Sequence, residues 1–175
     1  SIHQSSINQH KIVYYIHIVL VFTTRRKGRI VTSPLLMTKL HIPTPRLNLV
    51  LRTRLIEKLD SALHARLTLI SAPAGFGKST LLSHWVEKAA HTHVAWLSLD
   101  EGDNDLSRFL SYFIAALQTI DTSIGNGALA ALQSPGAVKT ETALISLLND
   151  VRLFLMTSSL YSMIITRSIH CKLIR

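Results

Sequence analysis

The sequence predicts an α/β fold in which a parallel sheet is flanked by helices. Three observations carry this. Two short apolar runs, Leu67–Ser71 and Val94–Leu99, have the length and composition of strands. Helix-length segments with apolar residues three and four apart stand before, between and after them. A Pro/Gly-rich turn joins the first run to the helix that follows, and strands that alternate with helices form parallel sheets.

Taken in order, residues 1–36 show no clean period. Ile12–Phe22 is apolar and suits a strand or a short helix equally, because periodicity alone does not separate them. The segment is expected to be an irregular N-terminal extension, with Pro34 marking a break. Residues 41–48 hold two prolines and read as an extended lead-in. From Val50 the pattern turns helical: Leu51, Leu55, Leu59 and Leu63 recur every four residues, with Arg52, Arg54, Glu57, Lys58 and Asp60 between them. After the strand Leu67–Ser71 and the turn of residues 72–77, Lys78–Ala90 reads as a helix and Val94–Leu99 as the second strand. Residues 100–105 form an acidic loop whose Asp105 suits an N-cap. The helix it opens runs to about Thr119, with Leu106, Phe109, Leu110, Phe113 and Leu117 on one face. Residues 125–136 hold three glycines and Pro135, and read as a loop with room for one short helical stretch. Glu141–Asp150 is helical again. Residues 37–150 thus form the domain, and 151–175 are expected to be an irregular C-terminal extension.

The net charge of +9 suggests a polyanionic partner, but its distribution removes that reading. Lys11, Arg25, Arg26, Lys27 and Arg29 lie in residues 1–36; Arg152, Arg167, Lys172 and Arg175 lie in residues 151–175; neither end holds an acid. The centre is neutral. The single cysteine, Cys171, permits no internal disulfide and fits a reducing cytoplasm. Ile12–Phe22 is about half the ~20 residues that a membrane helix needs. Its positive cluster follows the run rather than preceding it, so neither a membrane span nor a secretory signal is expected. The chain opens on Ser1 rather than Met, as a fragment would.

The chemistry sits in the turn. Ala72-Pro73-Ala74-Gly75-Phe76-Gly77-Lys78-Ser79 fits the phosphate-loop pattern G-x-x-x-x-G-K-[ST], with Ala in the first glycine's place. Gly75 and Gly77 can take positive φ, which lets successive backbone N–H groups converge on a phosphate. The helix opening at Lys78 points its positive end at the same oxygens. The Lys78 ammonium would reach the β- and γ-phosphates, the Ser79 hydroxyl would ligate Mg2+, and Thr80 would lie beside the α-phosphate. A strand before the loop and a helix after it are the context that separates this motif from a chance Gly-rich turn before Lys-Ser.

Other features carry less. A phosphate-loop enzyme needs an acid at the end of a neighbouring strand, and Asp100 or Glu101 could serve, as in a small kinase. The competing reading is a solvated loop that caps the next helix. Asp103-Asn104-Asp105 lacks the Gly and distal Glu of a calcium loop. His91 and His93 have no further ligand nearby, and Trp85 and Trp96 stand at core positions. A third reading, a basic polypeptide that binds nucleic acid or membrane through its ends, rests on charge alone.

Three separated blocks, LLMTKLHIPTPRLNLVLRTRLIEKL, SAPAGFGKSTLLSHWV and VAWLSLDEGDNDLSRFLSYFIAALQTI, resemble the MalT-like, LuxR-type transcriptional regulators of the STAND class of P-loop ATPases. The resemblance covers roughly residues 34–150. It implies an incomplete P-loop NTPase domain, with ATP/ADP and Mg2+ as ligands and hydrolysis as a switch. In full-length members a winged helix, a helical-repeat sensor and a helix-turn-helix follow, and those members self-associate and bind DNA. Gly75, Gly77, Lys78, Ser79 and Thr80 carry over as the phosphate and Mg2+ site, and Arg52 lies in the segment that borders the adenine in related ATPases. Asp100–Glu101 match the family's loop after its second strand, which is not its metal-binding acid.

At Asp150 the resemblance stops. The family continues with a strand ending in adjacent aspartates, LDDYH, which this chain lacks. With permitted codons, the tail from Phe154 read from each third base gives PHDFILVLDDYHAI, so residues from about 151 are expected to be frameshifted translation. On this reading the chain is expected to bind nucleotide weakly at most, to lack useful hydrolysis and specific DNA binding, and to leave an open apolar sheet edge.

Overall fold

The computed structural model describes residues 12–22, 35–44, 50–88, 93–134, 139–157 and 161–171. Among these residues there are four strands: β1 (Ile12–Phe22), β2 (Leu67–Ser71), β3 (His93–Leu99) and β4 (Tyr161–Cys171). Five α-helices accompany them in the described residues: α1 (Thr53–Ala62), α2 (Lys78–Lys88), α3 (Leu106–Gln118), α4 (Asn126–Gln133) and α5 (Lys139–Thr157). The central elements follow their patterns. In α1 the inward face is Leu55, Ile56, Leu59, Ala62 and Leu63, while Leu51 precedes the helix and is exposed. Asp105 caps α3 as expected, its carboxylate accepting from the Arg108 N–H at 2.8 Å.

The two ends correct the expectation of irregular extensions. Residues 12–22 and 161–171 form the middle of the sheet, whose order is β2-β4-β1-β3. β1 and β4 pair antiparallel along eleven positions, from Ile12 opposite Cys171 to Phe22 opposite Tyr161. β4 pairs parallel with β2, and β1 antiparallel with β3. The sheet is therefore mixed rather than parallel: β2, β4 and β3 run one way and β1 runs against them. The physical reason is composition. A strand covered on both faces reads as an unbroken apolar run, so IVYYIHIVLVF carries no period of two. Helix α5 also runs past Asp150, where the resemblance ends, to Thr157.

Alternation across the strands splits the core into two layers. Ile18 and Leu20 of β1 and Ala95 and Leu97 of β3 pack against α3, α4 and α5, on Leu110, Ile114, Leu117, Ala128, Leu147 and Phe154. Val19, Trp96 and Ile164 face the other way, onto Leu59 of α1 and Leu82 and Trp85 of α2. Both tryptophans are core residues, each 1% exposed. The Trp85 Nε1–H donates to Asp60 Oδ1 at 2.7 Å, tying α2 to α1. The arrangement is a sheet with helices on both faces, and it delivers the turn after β2 to the N-terminus of α2.

Candidate functional site

β2 stops at Ser71 because the chain must turn through residues 72–77 before α2 begins. Gly75 and Gly77 make that turn at φ of +83° and +75°. A Cβ at Gly75 would meet nothing within 4 Å, and at Gly77 only an Arg52 guanidinium nitrogen at 4.0 Å. The requirement for glycine is therefore conformational rather than one of space. The Leu81 N–H donates to the Gly77 carbonyl at 2.8 Å, so the helical ladder starts at the turn's last residue.

Lys78 is 7% exposed and folds back over the loop that precedes it. Its ammonium donates to the Ala72 carbonyl at 2.6 Å and the Pro73 carbonyl at 2.7 Å. Burial pushes its pKa below the ordinary 10.5. Ser79 and Thr80 follow in the first turn of α2, half-buried. Phe76, at the tip of the loop, is 59% exposed.

Beside the loop lies a cleft of about 230 Å³ lined by Val50, Arg52, Ile56, Gly77, Thr80, Leu81 and His84. Gly77, Thr80, Leu81 and His84 share one face of α2 and its N-terminal turn, by their spacing of three and four. Arg52 closes the cleft towards the loop, its Nη1 donating to the Phe76 carbonyl at 3.2 Å. Arg52 thus stands next to the turn.

The structure does not bring Asp100 and Glu101 to this site. They follow β3, which is separated from β2 by both β4 and β1. Three strand spacings amount to roughly 14 Å. The two residues belong instead to a capped turn. Asp100 Oδ1 accepts from the Gly102 N–H at 2.9 Å, and Asp103 Oδ2 accepts from the Asp100 N–H at 2.9 Å. Lys39 sits 2.9 Å from the Asp100 carboxylate and 2.5 Å from that of Asp103. The Lys39 hydrogen bond holds the Asp100 carboxyl below its ordinary range. Arg108 completes the cluster, its Nε donating to Asp103 Oδ1 at 3.2 Å. The capping reading of this acidic stretch is the one the geometry supports.

Sequence reasoning missed Lys39, a single lysine in an unremarkable stretch, because its partners lie more than sixty residues away. His84 was missed as well, although its place seven residues after Gly77 on an amphipathic helix could have aligned it with the loop. Among the described residues no group of three or more His, Cys, Asp or Glu could hold a metal ion. His91 lies outside the described residues. Among them, no helix is long and apolar enough to cross a membrane.

Comparison with known proteins adds a partial likeness. The chain is 50% identical over 84 residues to the HTH-type transcriptional regulator MalT of Cronobacter sakazakii, a stretch that is 48% of this chain and 9% of that protein. The MalT regulators of Yersinia pestis and Yersinia pseudotuberculosis are 49% identical over 84 residues, with the same coverage. The chain thus spans less than a tenth of the length of these relatives. No family model matches it, and no solved structure does.

Proposed function

We propose that residues 37–150 are the nucleotide-binding part of a MalT-like, LuxR-type transcriptional regulator of the STAND class, and that they take ATP or ADP with Mg2+. The observation that carries this reading is the turn with two glycines at positive φ, set between a strand and a helix and followed by a buried lysine. Backbone N–H groups of residues 74–78 would converge on the β-phosphate, with the positive end of α2 behind them. The Lys78 ammonium would exchange its two carbonyl acceptors for phosphate oxygens, which are charged and stronger acceptors. Mg2+ would neutralise phosphate charge when bound, held by the Ser79 hydroxyl. The partial identity to regulators called MalT supports the regulatory half of the reading, and a cytoplasmic location goes with it.

The proposal is binding rather than turnover. β4, the strand beside β2, carries no Asp or Glu, so no acid stands where water would be oriented. The kinase-like alternative loses its residues to the capped turn after β3.

Isothermal titration of the full chain with Mg-ATP tests this. Heat of association is expected, and Lys78→Ala should weaken it by at least tenfold, since a charged hydrogen-bond partner is removed. No heat from a folded sample, or an unchanged affinity in Lys78→Ala, overturns the reading.

A further inference from the structure

His84 lies on α2 two turns beyond the phosphate loop and lines the cleft that runs back to Gly77 and Thr80. Its Nε2 is buried and has no hydrogen-bond partner. Its Nδ1 faces Glu87, with the Glu87 carboxylate 4.0 Å away. The ring is 19% exposed, so part of it is open to the cleft. A buried polar nitrogen without a partner is costly, and such groups mark places where a ligand supplies the missing bond. Val50, Ile56 and Leu81 give the cleft apolar walls suited to the flat face of a heterocycle. Arg52 and Thr80 stand between those walls and the loop.

Resting on the nucleotide-binding reading, we infer that His84 determines base specificity by accepting a hydrogen bond from the exocyclic amino group of adenine. A carboxylate on the Nδ1 side favours the tautomer with the proton on Nδ1, which leaves Nε2 as an acceptor. Adenine offers an N–H donor at C6, whereas guanine and hypoxanthine offer a carbonyl oxygen there. An acceptor meeting a carbonyl oxygen repels it and leaves both unpaired. To meet the base, Nε2 must turn about χ2, a soft torsion in histidine, from beneath its cover towards the cleft. Nothing in the proposal requires catalysis by His84.

The test is titration of the full chain with Mg-ATP and Mg-ITP, which differ in the C6 substituent. The native chain should bind ATP about tenfold more tightly than ITP, the scale of one hydrogen bond and its loss. His84→Leu should bring the two affinities within about twofold of each other while leaving ITP binding intact. His84→Gln, whose amide oxygen can also accept, should restore part of the preference. Matching far-ultraviolet circular dichroism of each variant shows that it is folded. An ATP preference unchanged in both variants overturns the role of His84 and leaves the phosphate site standing. Equal ATP and ITP affinities in the native chain do the same. Absence of binding by any triphosphate overturns the phosphate site and this inference together.

Discussion

Gly75 and Gly125 both take positive φ, at 83° and 77°, but their surroundings differ. A Cβ on Gly75 would enter open space, whereas on Gly125 it would stand 2.5 Å from Ile114 Cγ2 in the core. Gly125→Ala therefore adds overpacking, typically ~1–3 kcal/mol, to the left-handed penalty of ~1–2 kcal/mol. Gly75→Ala carries only the second. Thermal unfolding should place Gly125→Ala clearly below Gly75→Ala in Tm; equal losses would show that Ile114 yields freely. The functional order should be reversed. On the proposed reading, Gly75→Ala twists amides that would face the phosphates and should weaken Mg-ATP binding, while a folded Gly125→Ala should not. The motif made Gly75 legible before any coordinates. Gly125 was legible only as part of a loop, because its constraint comes from a side chain eleven residues earlier on another element.

At the scale of elements, the segment 35–40 is held to the turn after β3 by Lys39, Asp100, Asp103 and Arg108, with the Lys39 ammonium 4.9 Å from the centre of the Tyr112 ring. The Asp103 side chain is only 2% exposed, so it is a buried charge that depends on its partners. Lys39→Met removes the nearer cation and should cost up to ~3 kcal/mol, moderated by Arg108; the double variant Lys39→Met/Asp103→Leu should recover much of it. Denaturant unfolding of the three chains checks this, and additive losses would show that the pair is not coupled. The acid side is set by Asp100. Its folded pKa lies below the ordinary 3.8, so its contribution is complete above that value and fades as pH falls through the lowered one. Asp100→Asn should thus lose less stability than the native chain on acidification below about 3.8. The Lys39 pairs were not legible in the sequence, since ion pairs between distant segments leave no period. Helices α1, α2 and α3 were legible because each shows its covered face as spacing, and strands β2 and β3 because each is a short apolar run bounded by turn or loop residues. β1 and β4 were not, because strands buried between two helical layers give no alternation, and their pairing joins the two ends of the chain.

For the molecule as a whole, the order β2-β4-β1-β3 decides what can stand alone. Residues 37–150 supply β2 and β3, which do not touch; both strands between them come from residues 12–22 and 161–171. Val19 and Ile164, each 0% exposed, link the two flanking strands through the layer beneath α1 and α2. On the other face, Leu67 and Leu69 of β2 remain 57% and 64% exposed, so this edge of the sheet is apolar even with β4 in place. A polypeptide of residues 37–150 would leave both strands unpaired and the inner faces of α2 and α3 without a floor. It should therefore fail to give a cooperative thermal transition, while the 175-residue chain gives one. Substituting Ile164→Asp in the full chain should have the same effect as the truncation, since it places an unpaired carboxylate at the centre of the sheet. If instead residues 37–150 melt cooperatively and bind Mg-ATP as the full chain does, then the terminal strands are dispensable additions. The frame of the codons from 151 onward would then be of no consequence for the fold; a failure to fold would make that tail, whatever its coding origin, a working part of the folded unit.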